Sequence, residues 1–116
     1  LVRSGGYTGV VLDLEALEAG DTSALAAVSA ALAGGARRGG ARVVAIAVPA
    51  LDTVAYAARH LLPAVDHLLV MLYDLHWSGS DAGPVVARDW ARDALARWVT
   101  AAGPDRVVAA LPVYGY

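Results

Sequence analysis

The sequence predicts an α/β fold built on a parallel sheet, and three observations support this class. Hydrophobic residues make up 58% of the 116 residues, whereas charged residues make up only 17%. The apolar residues form continuous runs, which are typical of parallel strands buried on both faces. These runs alternate with segments of helical length, the order of a chain with right-handed βαβ crossovers. The length fits one modest domain or a section of a larger one.

Four strands and three helices are predicted in strict alternation. The strands are residues 9–14, 42–48, 67–72 and 106–113, and the helices are residues 21–38, 53–62 and 89–101. The strands are short runs of Val, Leu, Ile and Ala, and the first helix is rich in Ala and Leu. Asp21 or Thr22 is expected to cap that helix at its amino end. Pro63 ends the second helix because proline cannot continue one.

Charge and cysteine content exclude several classes of function. The formal net charge is -2, and no basic stripe is present, so we expect no nucleic-acid partner. No apolar run reaches the length of a membrane span, so we expect no membrane partner. The absence of cysteine excludes a disulfide framework and a thiolate metal site. The chain does not start with methionine, and we expect any targeting segment to lie outside it.

Two carboxylates stand at the end of the first predicted strand. Residues two apart on a strand point to one side, so Asp13 and Glu15 share a face while Leu12 and Leu14 face the helices. Carboxylates placed so close in apolar surroundings raise each other's pKa, which can keep one protonated near neutral pH. A protonated acid is what departure of a glycosidic oxygen requires. The alternative is that both acids are exposed at the strand end and cap the next turn.

Polar and aromatic side chains also crowd the end of the third predicted strand. Met71 is followed within six positions by Tyr73, Asp74, His76 and Trp77. The fourth strand ends in two further tyrosines, at the same edge of a parallel sheet. Aromatic rings can stack on the apolar faces of a sugar while carboxylates act at its linkage. This edge of the sheet is therefore the candidate site.

Three segments carry a specific resemblance. Residues 7–15 (YTGVVLDLE), 70–74 (VMLYD) and 110–116 (ALPVYGY) are similar to three strand signatures of the family 18 glycoside hydrolases, in the same order. The resemblance implies part of a (β/α)8 TIM barrel, strands four to seven, so that residues 1–116 form a partial catalytic domain. The remainder of the barrel is expected from flanking sequence. The loop at residues 76–84 resembles most the bacterial spore-cortex and cell-wall lytic branch.

The resemblance also implies a reaction and its catalytic residues. The family cleaves β-1,4 linkages of N-acetylglucosamine-containing glycans, here peptidoglycan or chitin, with retention and without a metal or other cofactor. Glu15 would protonate the leaving oxygen and then act as a base toward water. Asp13 would hold the substrate's acetamido group, and Tyr73 would donate a hydrogen bond to the acetamido oxygen. This substrate-assisted route differs from the usual scheme with two carboxylates.

Substrate-binding residues and a location follow from the same resemblance. Met71 and Asp74 would shape the floor of the sugar pocket, and Tyr114 would line it. Trp77 lies in a polar loop and is expected to stack on a sugar. Trp90 and Trp98 are expected to face the barrel from the last helix. The implied location is extracellular, or the cell wall or spore envelope.

The match departs from the family pattern at two positions. Thr8 and Val11 stand where the family has its first and second Asp, and Val11 removes a carboxylate partner of Asp13. The lytic branch often lacks an acid there as well, so the change favours that branch. We expect the 116 residues alone to be poorly stable or inactive, because the sheet would have two open edges.

Two other functions remain open. A chitinase-like protein could keep the sugar pocket and bind carbohydrate without cleaving it, although such a protein needs no proton donor at Glu15. A metal-dependent barrel hydrolase could instead use His76 and Asp74, completed by Asp13 and Glu15. A chelator would inhibit that enzyme only.

Overall fold

The chain folds as a four-stranded parallel sheet with its helices packed on one face. The computed structural model describes residues 2–115. Strands β1 to β4 are Gly9–Leu12, Val43–Pro49, His67–Met71 and Val107–Ala110, and helices α1 to α3 are Thr22–Arg38, Ala58–Leu61 and Arg88–Ala102. Every neighbouring pair is parallel, in the order β1-β2-β3-β4. The predicted α/β class, with four parallel strands and three connecting helices, is confirmed.

The two faces of the sheet differ in burial. On one face, Ile46 and Leu68 are fully buried against the core that Leu25 of α1 and Trp98 of α3 help to form. The other face includes three of the exposed large apolar side chains, Val11, Val43 and Val108. Apolar side chains facing away from the helices are what a (β/α)8 barrel packs in its interior. No helix within residues 2–115 is long and apolar enough to cross a bilayer.

The second helix is shorter than predicted, and Asp52 explains why. One carboxylate oxygen of Asp52 accepts hydrogen bonds from the backbone N–H groups of Val54 and Ala55, at 3.0 and 2.9 Å. Such a side-chain turn satisfies backbone donors without a helix. The helix therefore begins at Ala58 instead of residue 53, and the predicted start was wrong.

Two strands also end earlier than predicted. β1 stops at Leu12 instead of residue 14, and β4 stops at Ala110 instead of residue 113. Pro112 cannot donate to a sheet ladder, which is a reason for the early end of β4. The alternation predicted for β1 nevertheless continues beyond it, because Leu14 is half-buried while Asp13 is exposed.

Ser29 is a stability determinant within α1. Its side chain is fully buried, and its hydroxyl has no hydrogen-bond partner among the described residues. An unpaired buried hydroxyl is destabilising, so we expect Ser29→Ala to raise the free energy of unfolding by about 1 kcal/mol. Urea denaturation of the full-length protein measures the change, with Ser23→Ala on the exposed surface of α1 as the control for helix propensity. A loss of stability specific to Ser29→Ala would contradict this expectation.

Asp66 joins three elements at the amino-terminal end of the sheet. Its carboxylate accepts the backbone N–H of Val44 at 2.8 Å and pairs with Arg37 at 3.1 Å, and its backbone carbonyl accepts from Arg106. The hydrogen bond from Val44 holds the pKa of the Asp66 carboxyl below its usual value; partial burial opposes this, and Arg37 reinforces it. Because the pKa of Asp66 is lower in the folded state, the contribution of this carboxylate to the free energy of unfolding depends on pH.

A pH-dependent effect on stability is therefore expected for Asp66→Asn. The charged carboxylate stabilises the folded state above its unfolded pKa, and this contribution disappears as the pH falls through the lower folded pKa. The side chain is 37% exposed, so solvent screening limits the expected loss at pH 7 to about 1 kcal/mol. Unfolding free energies measured between pH 7 and pH 2 should converge for the two proteins at low pH. A pH-independent difference would contradict the linkage.

Candidate active site

A cleft of about 290 Å³ opens where the carboxyl ends of β1, β2 and β3 meet. The segments after these strands contribute most of its lining, and α3 adds one side chain. The lining residues are Glu15, Ala16, Pro49, Ala50, Leu51, Met71, Tyr73, Asp74 and Trp90. Four predicted site residues therefore lie together here. Glu15 comes from the end of β1, whereas Met71, Tyr73 and Asp74 come from the end of β3. The carboxyl edge of a parallel sheet is also where barrel enzymes place their chemistry.

The segment after β1 brings both predicted catalytic acids to this edge. Glu15 and Asp13 are both exposed, and the continued alternation places them on the face that includes Val11. Ala16 follows with a φ of 56°, a left-handed conformation that costs energy for alanine. The next turn is capped through Glu18, whose backbone N–H donates to a side chain within the turn. Capping by Asp13 or Glu15 is thus not the arrangement observed.

Tyr73, which follows β3, interacts electrostatically with Asp13 and Glu15. Burial raises the pKa of the Tyr73 phenol above its usual value, and the negative charges of Asp13, Glu15 and Asp74 raise it further. A phenol with a raised pKa keeps its proton at neutral pH and can act as a hydrogen-bond donor. Asp13 is not among the residues that line the cleft, but its negative charge contributes to the raised pKa of Tyr73.

Tyr114 brings the end of β4 to the same place. Its hydroxyl donates to a carboxylate oxygen of Asp74 at 3.0 Å. Its ring meets that of Tyr73 edge to face, with centroids 6.3 Å apart. Asp74 has a φ of 58°, which aspartate tolerates better than most residues. The structure thus places Tyr114 against two residues that line the cleft, although Tyr114 is not itself among the lining residues. Tyr116 lies outside the described residues.

The structure separates Trp77 from the other predicted site residues. Trp77 is 54% exposed and lines a different, shallow cavity with His76 and Asp81. A turn holds the loop, since Ser80 accepts the backbone N–H of Trp77 and donates to its carbonyl. His76 has one ring nitrogen 3.0 Å from the carbonyl oxygen of Asp81. Within residues 2–115, no three His, Asp or Glu side chains lie close enough together to hold a metal ion.

Trp90 is a cleft residue that the sequence did not reveal. Trp90 and Trp98 were both expected to face the barrel from the last helix. Trp98 is fully buried and donates its indole N–H to the carbonyl of Ala50 at 2.9 Å, which confirms that expectation for Trp98. Trp90 is half-buried, packs against the core and also lines the cleft. Its position in the first turn of α3, directly after the loop from β3, was the available signal.

Comparisons with named proteins support the parallel α/β architecture. No family model matches the sequence. Over its whole length the chain is 29% identical to a Bacillus subtilis (strain 168) protein named as a sporulation-specific glycosylase, YdhD, of which it spans 29%. Two solved structures superpose on nearly the whole chain. A chitinase from Chromobacterium violaceum matches with a TM-score of 0.85 and 28% identity over 99% of this chain and 38% of its own. A class V chitinase from Pseudomonas fluorescens Pf-5 matches with a TM-score of 0.82 and 28% identity, over 98% of this chain and 38% of its own.

The chain therefore spans well under half the length of these relatives. Four parallel strands with their helices, matched to such a share of larger chitinase chains, form part of a (β/α)8 barrel. The predicted resemblance of this chain to the family 18 glycoside hydrolases is confirmed.

Proposed function

We propose that this chain carries the catalytic acid of a glycoside hydrolase that cleaves β-1,4 linkages in an N-acetylglucosamine-containing glycan. The observation that carries the proposal is the cleft itself. Glu15 lines it together with Met71, Tyr73 and Asp74, which come from another strand. A carboxylic acid, a phenol donor and a pocket floor are the groups that substrate-assisted hydrolysis requires. Residues 1–116 would then form part of the catalytic domain.

In the proposed reaction, the substrate's own acetamido group is the nucleophile. Glu15 gives its proton to the glycosidic oxygen as the bond to the anomeric carbon breaks, and the acetamido oxygen attacks that carbon. Glu15 then removes a proton from water, which opens the resulting ring and regenerates the acid. Asp13 holds the acetamido N–H, while Tyr73 donates to the acetamido oxygen. Two displacements at one carbon give net retention.

Sugar binding would use the remaining groups around the cleft. Met71 and Asp74 line the cleft and would form the floor of the sugar pocket, and Asp74 accepts a hydrogen bond from the hydroxyl of Tyr114. Trp90 adds an aromatic surface on the side of α3, where it can stack against a sugar face. Trp77 lies in the separate loop cavity and would contact a sugar unit farther along the glycan.

Val11 favours a second candidate, a protein that binds the glycan without cleaving it. Val11 is 54% exposed beside Asp13, where the family pattern has another acid. An apolar side chain cannot share a proton with Asp13, so Asp13 would be held by Tyr73 and by groups outside this chain. Retention of Glu15 favours the enzyme, because sugar binding alone needs no proton donor.

Two glycans are candidates for the substrate, and the names of the relatives support them. A sporulation glycosylase and chitinases are the named proteins that this chain resembles. We accordingly propose peptidoglycan or chitin oligosaccharide as the substrate. Either is found outside the cytoplasm, which would place the protein outside the cell, in the cell wall or in the spore envelope.

Product analysis by mass spectrometry tests this function. The full-length protein is incubated with N-acetylglucosamine oligomers and, separately, with glycan strands of peptidoglycan. We expect shortened glycans whose masses correspond to hydrolysis at N-acetylglucosamine, with the same yield when a chelator is added. Binding of both glycans with no cleavage would contradict the hydrolase and favour the carbohydrate-binding protein. Loss of cleavage with the chelator would favour a metal-dependent hydrolase.

A further inference from the structure

Tyr56 lies beneath the segment that carries Glu15, and the reaction described above gives it no role. It belongs to the segment between β2 and α2, and it is only 1% exposed. Its hydroxyl donates a hydrogen bond to the backbone carbonyl of Leu14 at 2.7 Å. Leu14 is the residue between Asp13 and Glu15, so this bond holds the backbone between the two proposed catalytic acids.

The groups around this segment also shift the pKa of the Tyr56 phenol. Burial raises the pKa of the Tyr56 phenol; the backbone N–H of Leu17 lowers it, and the charges of Asp52, Glu15 and Asp13 raise it again. The net shift is upward, so the phenol stays protonated at neutral pH and keeps its hydrogen bond to Leu14.

The backbone is strained two residues beyond this hydrogen bond, at Ala16. Ala16 has a φ of 56°, and an alanine in this conformation persists only where the surrounding structure fixes it. β1 has already ended at Leu12, so the sheet ladder does not extend to this segment. The hydroxyl of Tyr56 supplies a fixed contact there, reaching across from another loop.

We propose that Tyr56 is a positioning residue for Asp13 and Glu15. Its hydrogen bond fixes the carbonyl of Leu14, and this fixes the directions in which the side chains on either side leave the backbone. A displacement of about 1 Å at a reacting group can cost 10²-fold in rate, so a bond that holds this segment affects kcat. The proposal rests on the proposed function, because it assigns Tyr56 to the same reaction.

Trp98 makes a similar side-chain hydrogen bond to a backbone carbonyl elsewhere on this edge. Its indole N–H holds the carbonyl of Ala50 after β2, from an equally buried position. That segment supplies a wall of the cleft and no proposed acid. Tyr56 differs because the backbone it holds lies directly between two carboxylates.

The test uses Tyr56→Phe in the full-length protein, which removes the hydroxyl and keeps the ring. We expect kcat on N-acetylglucosamine oligomers to fall about tenfold while KM changes less than about twofold, since positioning affects the transition state more than binding. We also expect faster amide hydrogen exchange confined to residues 13–17. Val44→Ala, at the amino end of β2, is the control: it lowers the melting temperature and leaves both kcat and exchange in this segment unchanged.

Three outcomes would overturn the proposal. The first is unchanged exchange at residues 13–17, and the second is faster exchange with an unchanged kcat. The third is an equal loss of kcat in Val44→Ala, which would assign the effect to general stability. If the parent protein cleaves no glycan, the proposed function fails separately, and the exchange measurement still decides whether Tyr56 holds this segment.

Discussion

Glu15→Gln is expected to lower kcat for glycan cleavage by about 10³-fold in the full-length protein, the usual size of a general-acid contribution. Glutamine keeps the shape of the side chain and cannot give a proton to the leaving oxygen. Because Glu15 lines the cleft at its exposed edge, the substitution should not disturb the core. Affinity for N-acetylglucosamine oligomers should therefore be retained, and calorimetric titration of the variant checks this.

Glu18→Gln is the matched control for Glu15→Gln. Glu18 is exposed three residues farther along and belongs to the capped turn before α1, outside the residues that line the cleft. The same chemical change there should leave kcat within about twofold, because no proton transfer is lost. Equal losses in both variants would assign the effect to the loss of charge near the site. Full activity of Glu15→Gln would remove Glu15 from the reaction.

Tyr73→Phe is expected to produce the next largest effect, a decrease in kcat of about 10²-fold, which is typical when one donor to a developing charge is removed. The phenol lies among the charges of Asp13, Glu15 and Asp74, and its raised pKa keeps the donor proton in place. Phenylalanine preserves the edge-to-face contact with the ring of Tyr114. The change therefore removes the hydrogen bond and retains the packing.

The kinetics of Tyr73→Phe should separate catalysis from binding. A loss confined to kcat indicates a hydrogen bond formed in the transition state, whereas a loss confined to KM indicates simple substrate binding. Tyr7→Phe, at a side chain that is 70% exposed, is the control and should retain full activity. The raised pKa of Tyr73 also predicts no decline in kcat between pH 7 and pH 9 from ionisation of this phenol. A decline in the parent that Tyr73→Phe abolishes would contradict that assignment.

The fold was largely predictable because each strand corresponds to a continuous apolar run in the sequence. Continuous apolar runs separated by helical segments led to the parallel sheet. The alternation predicted around Leu12 agrees with a half-buried Leu14 between the exposed Asp13 and Glu15. The start of α2 was not predictable from its apolar residues, because Asp52 diverts the preceding backbone into a turn through two hydrogen bonds. A local pattern does not reveal which polar side chain will compete with a helix.

Only the site residues that directly follow a strand could be predicted from the sequence. Met71, Tyr73 and Glu15 follow strands directly, and parallel strands bring such residues to one edge. Trp90 and Tyr56 reach that edge from α3 and from the segment before α2, and their positions depend on how those segments pack. Such contacts arise from tertiary structure, so the sequence gave no sign of the contact made by Tyr56, and for Trp90 it gave only the position at the start of α3.

The anomeric form of the first product tests the central claim most directly. Proton NMR recorded during the first minutes of cleavage by the full-length protein distinguishes the β anomer of a newly formed reducing end from the α anomer. Because Glu15 is proposed to act with the substrate's acetamido group as nucleophile, retention is required and the β anomer should appear first. Initial release of the α anomer would mean that water attacks directly from the opposite face, and it would contradict the substrate-assisted reaction assigned to this cleft.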